Sequence, residues 1–213
     1  METTKQLRIG ILELQGDFAE HSAMTKKLGA LSIGVREPSD LSNLDGLIIP
    51  GGESTTIGKL LAAQNLLLPI QELVQTQNFP IFGTCAGCIL LSKSIKGHQK
   101  QIKLDLMHVC VDRNAYGPQI SSCELRVQSS HKVFRANDGK IGVVLIRAPE
   151  IVQVGEEVEV LARYEGKPIL VKEGNLIAAT FHPELTMETK IHEFFLDVCR
   201  RWREEVKGSA EKC

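Results

Sequence analysis

Pro80-Ile81-Phe82-Gly83-Thr84-Cys85-Ala86-Gly87-Cys88 is the stretch on which the reading of the fold turns. A short apolar run leads into it and Ile89-Leu90-Leu91 follows, so the pattern is strand, sharp turn, helix. Glycines stand two residues before and two after Cys85, the Gly-x-nucleophile-x-Gly spacing of a nucleophile elbow. A side chain at Gly83 or Gly87 would collide with the neighbouring strand or helix in so tight a turn. An elbow would hold the thiol at the top of a sheet, over a helix N-terminus whose dipole favours the reactive thiolate. Two plainer readings fit the same residues. Cys85-Ala86-Gly87-Cys88 is a C-x-x-C pair after a strand, as in thioredoxin-like redox sites, and a cysteine is often only a small buried hydrophobe.

The surrounding composition narrows the class. With 213 residues, 43% of them hydrophobic, the chain can bury one sizeable α/β core. A formal net charge of -1 gives no bulk attraction to nucleic acid or to an anionic membrane. No apolar run approaches the length of a membrane span, and the polar start, Met1-Glu2-Thr3-Thr4-Lys5-Gln6, lacks a signal peptide's apolar region. The six cysteines (85, 88, 110, 123, 199 and 213) are scattered, which leads us to expect reduced thiols in a cytoplasmic protein. No second close pair supports a zinc site, so no metal and no cofactor are expected. One domain spanning 1–213 is expected, with 1–6 and 208–213 frayed.

Upstream of the elbow, 7–14 reads as a buried strand ending at Gln15-Gly16-Asp17. Asp17 is placed to cap a helix carrying Phe18, His21, Met24 and Leu28 on one stripe, and Gly29 to end it. A second strand over 31–36 implies a right-handed crossover. The third, Asp45-Gly46-Leu47-Ile48-Ile49-Pro50, runs into Gly51-Gly52-Glu53-Ser54-Thr55, where Ser54 or Thr55 can cap a helix bearing Ile57, Leu60 and Leu61. No Gly-Lys-Ser/Thr follows the two glycines, so a phosphate loop is the poorer reading. Backbone N–H groups poised for an oxyanion are the better one. A helix over 65–77 precedes the elbow. Beyond Gly97 the runs 104–111, 120–127, 141–146, 158–162, 169–171 and 176–180 are short and strand-like, which suggests an antiparallel portion appended to a mainly parallel sheet. The chain closes with an amphipathic helix over 188–206, its stripe formed by Ile191, Phe194, Phe195, Val198 and Trp202.

Phe181-His182-Pro183-Glu184 follows the last strand-like run. Pro183 disfavours helix at His182, and in an extended segment residues two apart face the same side. His182 and Glu184 would then be presented together, and with Cys85 they fit nucleophile, base and orienter. A redox pair needs neither. Arg113 and Arg147 both lie at strand ends, where an arginine is solvated or clamps a carboxylate.

Gly83-Thr84-Cys85-Ala86-Gly87 with His182-Pro183-Glu184 resembles the class I (triad) glutamine amidotransferases. Leu14-Gln15-Gly16, the block from Leu47 through Gly51-Gly52-Glu53-Ser54-Thr55, Arg113-Asn114-x-Tyr116-Gly117, Ile146-Arg147-Ala148-Pro149 and Phe181-His182-Pro183-Glu184-Leu185-Thr186 narrow the likeness. They resemble the glutaminase subunits of pyridoxal 5'-phosphate (vitamin B6) synthase. The resemblance implies an α/β fold with an open, mainly parallel, flavodoxin-like sheet flanked by helices. It implies hydrolysis of L-glutamine to glutamate and ammonia through a thioester on Cys85, with His182 as base and Glu184 as its orienter. It gives the oxyanion hole to Gly51, Gly52 and Ala86, supported by Gln15, and substrate binding to Gly52, Glu53, Ser54, Arg113, Ile146 and Arg147. It also implies a (β/α)8-barrel synthase partner that receives the ammonia, assembled as a dodecamer decorated by glutaminase subunits. Three residues depart from the family pattern: Pro118, where arginine is usual, Cys88 and Cys123. A cysteine peptidase or deglycase-like hydrolase using the same elbow, and a catalytically silent interaction subunit, are the rival classes.

Overall fold

Alternation of apolar side chains along the central strands builds two cores, one on each face of a sheet. The computed structural model describes residues 6–113, 123–129, 131–134 and 139–210. The readings made on Asn114, Tyr116, Gly117, Pro118, 120–122, 1–5 and 211–213 lie outside these residues. The chain begins with β1 (Arg8–Leu12), α1 (Phe18–Lys27), β2 (Leu31–Val35), β3 (Gly46–Ile49), α2 (Ser54–Ala63), α3 (Leu67–Gln77), β4 (Ile81–Thr84) and α4 (Ala86–Leu91). Then come β5 (Ser92–Ile95), β6 (Met107–Asp112), β7 (Cys123–Gln128), β8 (Lys140–Leu145), β9 (Glu150–Val154), β10 (Glu159–Tyr164), β11 (Lys167–Glu173), β12 (Leu176–Ala179) and α5 (Lys190–Ala210).

Seven strands form the main sheet in the order β10-β11-β12-β4-β3-β1-β2. From β12 to β2 every pairing is parallel, and β11 and β10 add at one edge by antiparallel pairing. Leu47, Ile49, Ile81 and Ala178 face one core with Ile57, Leu61 and Ile70 of α2 and α3. Their neighbours Ile48, Phe82, Ile177 and Ala179 face the other with Phe194, Phe195 and Val198 of α5. Strands buried on both faces need such near-continuous apolar runs. The α/β class and the mainly parallel sheet are therefore as expected.

The antiparallel portion is less simple than a single appendage. It is divided between the β11–β10 edge, a three-stranded sheet β5-β6-β9 and the hairpin β7–β8. Strands β5 and β9 were not foreseen. Ser92-Lys93-Ser94-Ile95 carries little apolar signal, Glu150-Ile151-Val152-Gln153-Val154 is a short run directly after Pro149, and pairing on either side of β6 makes them strands. At the other end, α5 continues to Ala210, past its expected end at 206 and into the stretch expected to fray.

Two helix caps also differ from expectation. Asp17 sits at the N-cap of α1 but makes no side-chain cap bond. At α2 the cap is neither Ser54 nor Thr55. Glu53 fills that place, its carboxylate accepting the N–H groups of Thr55 at 3.0 Å and Thr56 at 2.7 Å. Gln15, Gly51, Cys85 and His182 all follow the carboxyl ends of central strands, where ligands bind open α/β sheets. Among the described residues no helix is long and apolar enough to cross a membrane.

Candidate active site

The elbow forms as its glycine spacing predicts. Cys85 lies between β4 and α4 with φ 47° and ψ -99°, a conformation that costs a non-glycine residue roughly 1–3 kcal/mol. Close packing holds it there. A Cβ on Gly87 would stand 2.2 Å from the Ile49 carbonyl oxygen, and one on Gly83 would stand 2.6 Å from the Gly87 carbonyl carbon. The Cys85 N–H donates to the Ala179 carbonyl at 2.8 Å, tying the turn to β12. Ala86 begins α4, so its N–H is one of the donors that a helix start leaves unpaired.

His182 and Glu184 meet as expected, but for a different reason. Pro183–Leu185 is one turn of 3-10 helix, not an extended segment. Proline suits the first position of such a turn, and the turn brings Glu184 back toward its neighbour. His182 Nδ1 stands 2.8 Å from Glu184 Oε1, and the backbone N–H of His182 donates to Val144 at 2.9 Å. Both side chains are buried. Burial alone would lower the pKa of His182. Hydrogen bonding to Cys85 and Glu184, together with their negative charge, outweighs it and lifts the value to about 10. Burial raises the pKa of Glu184 against the opposing pull of His182.

The glycine loop after β3 packs directly on this pair. A Cβ on Gly51 would lie 2.3 Å from His182 Cε1, so only glycine fits. The Gly51 carbonyl accepts from the Asp17 N–H at 3.1 Å, and Gln15 Oε1 accepts from the Glu53 N–H at 2.8 Å. The loop is thus pinned by the turn after β1 at both ends of Gly52. Glu53, Ser54, Ile146 and Arg147 line the same cleft of about 480 Å³, with Gln15, Cys85, Arg113 and His182.

The two expected arginines differ sharply. Arg113 is committed, donating to Thr55 Oγ1 and Glu53 Oε1 at 3.0 Å each and to Gln101 Oε1. The small burial of Glu53 would raise its pKa, but the hydrogen bonds from Thr55 and Thr56 hold it at about 2, so this partner stays charged. Arg147 is exposed in the cleft wall at φ 44°, with no ion pair among the described residues. Ser54 Oγ accepts from Gln101 Nε2 at 3.0 Å.

Both Cys85 and Cys88 are free thiols. Cys88, on α4, is fully buried in the core, and burial pushes its thiol pKa far up, so it stays protonated.

Four neighbours of the triad went unforeseen as site residues. Asp17, expected only as a cap, places Oδ2 3.3 Å from His182 Nδ1. Its position just after β1 was the available signal. His21, expected only on an apolar stripe, reaches Thr84 Oγ1 and His192 Nε2 at 3.0 Å each and lies 3.4 Å from Glu184 Oε2.

Comparison with known proteins shows the family. The model of the SNO glutamine amidotransferase family matches residues 11–201. "Pyridoxal 5'-phosphate synthase subunit PdxT" of Pseudothermotoga lettingae is 48% identical over 194 residues, covering 90% of this chain and 95% of the relative. The protein of the same name from Thermosipho africanus is 44% identical, over 92% of this chain and all of its own length. A crystal structure of a glutamine amidotransferase superposes with a TM-score of 0.83 at 41% identity, covering 90% of this chain and 98% of that one. With a family match across most of its length and a cysteine elbow facing a His–Glu pair, the chain belongs to the SNO glutamine amidotransferase family.

Proposed function

We propose that this chain is the glutaminase subunit of a pyridoxal 5'-phosphate synthase, with Cys85, His182 and Glu184 as its catalytic residues. The observation that carries the reading is the elbow thiol interacting with a buried histidine whose Nδ1 is held by a carboxylate. His182 accepts the Cys85 proton, and the sulfur attacks the side-chain amide carbon of glutamine. The Ala86 N–H and the amides at Gly51 and Gly52 receive the oxyanion, the latter supported by Gln15. His182 returns its proton to the departing nitrogen, and ammonia leaves. Water, deprotonated by His182, then hydrolyses the thioester to glutamate and restores the thiol. Glu184 keeps the imidazole oriented and stabilises its protonated form. Arg147, without an ion pair among the described residues, offers a cation for the glutamine α-carboxylate. Arg113, with Glu53 and Ser54, braces the cleft. Ile146 supplies apolar contact.

The relatives' name supports a synthase partner. We assign that role to a (β/α)8-barrel subunit, assembled as a dodecamer, that takes the ammonia as it forms. The cytoplasm, where free thiols persist, suits this chemistry. The test is ammonia release from glutamine with and without a barrel synthase. Release that rises strongly with the synthase is expected. No release in either case would overturn the proposal.

A further inference from the structure

The catalytic carboxylate is held at only one end by the proposed triad. Glu184 Oε1 meets His182, whereas Oε2 is sealed from solvent and has no full hydrogen bond. An ionised carboxylate left so in a protein interior is costly. Nε2 of His21 lies 3.4 Å from Oε2. His21 comes from α1, is wholly buried, and also meets Thr84 Oγ1, the residue just before the nucleophile.

The tautomer of His21 follows from its far side. Burial, then His192 and His182, lower the pKa of His21 well below its ordinary value, so the ring is neutral with one N–H. Burial likewise lowers His192, to about 4. Their rings share one hydrogen bond, His21 Nδ1 to His192 Nε2 at 3.0 Å, and His192 Nδ1 has no partner. If His21 carried its proton on Nδ1, His192 would have to carry its own on the unpartnered Nδ1. A buried donor would be stranded, and a bare His21 nitrogen would face the Glu184 carboxylate. With His192 Nε2–H donating to His21 Nδ1, the stranded atom is only a lone pair, the milder defect. His21 Nε2–H then donates to Thr84 Oγ1 at 3.0 Å, with Glu184 Oε2 3.4 Å from the same nitrogen.

We propose that His21 is a positioning residue that holds the second oxygen of Glu184, its tautomer set by His192. It acts through Glu184 on His182 and never touches substrate. The proposal deepens the glutaminase reading and rests on it for the identity of the triad. Among the described residues, the charged and titratable groups around Glu184 are His182 from its own turn and Asp17 and His21 from the α1 side, with Cys85 beyond His182.

The test uses the full chain and two readouts. Iodoacetamide alkylation of Cys85 against pH needs neither glutamine nor synthase, and glutamine turnover with the synthase is the second. Without the Nε2–H donor Glu184 ionises less readily, so His21→Leu should move the acid limb of both profiles upward. The scale of a lost bond to a charged group is about one pH unit. Alkylation at a pH below the wild-type acid limb should fall about tenfold. His21→Gln, whose amide can donate from a similar place, should restore most of the rate. In a Glu184→Gln background, His21→Leu should change alkylation less than twofold. Equal losses in both backgrounds, with glutamine no better than leucine, would make His21 a core filler and overturn the proposal. If His21→Leu does not fold, nitrogen-15 histidine spectra of the wild type decide. An Nε2–H tautomer at His21 is expected, and an Nδ1–H tautomer contradicts it. Wild type that alkylates normally but releases no ammonia would sink the glutaminase reading alone.

Discussion

Replacing Gly87 by alanine tests whether the elbow is held by backbone packing. The new Cβ would lie 2.2 Å from the Ile49 carbonyl oxygen, against 3.4 Å for an ordinary contact, so β3 and α4 must part by about 1.2 Å (3.4 − 2.2). The obstacle is backbone on both sides, so side-chain rotation brings no relief. Overpacking of this kind costs up to about 3 kcal/mol, and alanine's better helix propensity returns about 1 kcal/mol. A net loss of about 2 kcal/mol lowers the melting temperature by roughly 4–8 °C in a chain of this size. Activity should fall further than stability. β3 leads directly into Gly51 and Gly52, and a shift of about 1 Å between the oxyanion donors and Cys85 can cost roughly 100-fold in rate. The assay pairs thermal melting with ammonia release, and Gly29→Ala serves as control. At Gly29, φ is +79° and nothing lies within 4 Å, so alanine adds about 1 kcal/mol of backbone strain without a clash. A Gly87→Ala protein with wild-type melting and rate, or one no worse than Gly29→Ala, would refute the packing argument.

Other substitutions separate the roles within the cleft. Cys85→Ala should abolish ammonia release while leaving melting and synthase binding intact, and normal release would remove Cys85 from the mechanism. Arg147→Ala should raise KM for glutamine about tenfold with little change in kcat, the effect of losing one ion pair to bound substrate; an unchanged KM would place the α-carboxylate elsewhere. His182 gives a pH test. Its pKa in the fold, about 10, exceeds the ordinary 6.5, so its stabilising contribution is complete below about 6.5 and is lost as pH rises through about 10. Urea titrations from pH 6.5 to 10 should show wild type losing stability relative to His182→Asn, and parallel curves would contradict the assigned shift.

Local rules carried the elbow from sequence to structure. Gly83 and Gly87 are needed wherever a strand and a helix meet this closely, and that need is written in their spacing. The same holds for the alternating runs of β1, β3, β4 and β12. Contacts between distant segments outside these motifs were not legible. His21 and His192 are 171 residues apart, and only the packing of α1 and α5 on one face of the sheet joins them. Asp17 could not be assigned from helix-cap preference, because a neighbouring histidine competes for its carboxylate. Glu53 capped α2 ahead of Ser54 and Thr55 because its longer side chain reaches two N–H groups while pairing with Arg113. The His182–Glu184 pair was foreseen from an extended segment, yet Pro183 started a turn with the same outcome.

Covalent capture tests the central claim most directly. A glutamine analogue bearing a diazoketone in place of its side-chain amide should be offered to the full chain with the synthase. Peptide mass mapping should then find one adduct per chain, on Cys85, and excess glutamine should suppress it. Cys88, Cys110 and Cys199 should stay unmodified. Labelling away from Cys85, or labelling that glutamine does not slow, would contradict the assignment of the elbow thiol as the nucleophile that opens the glutamine amide.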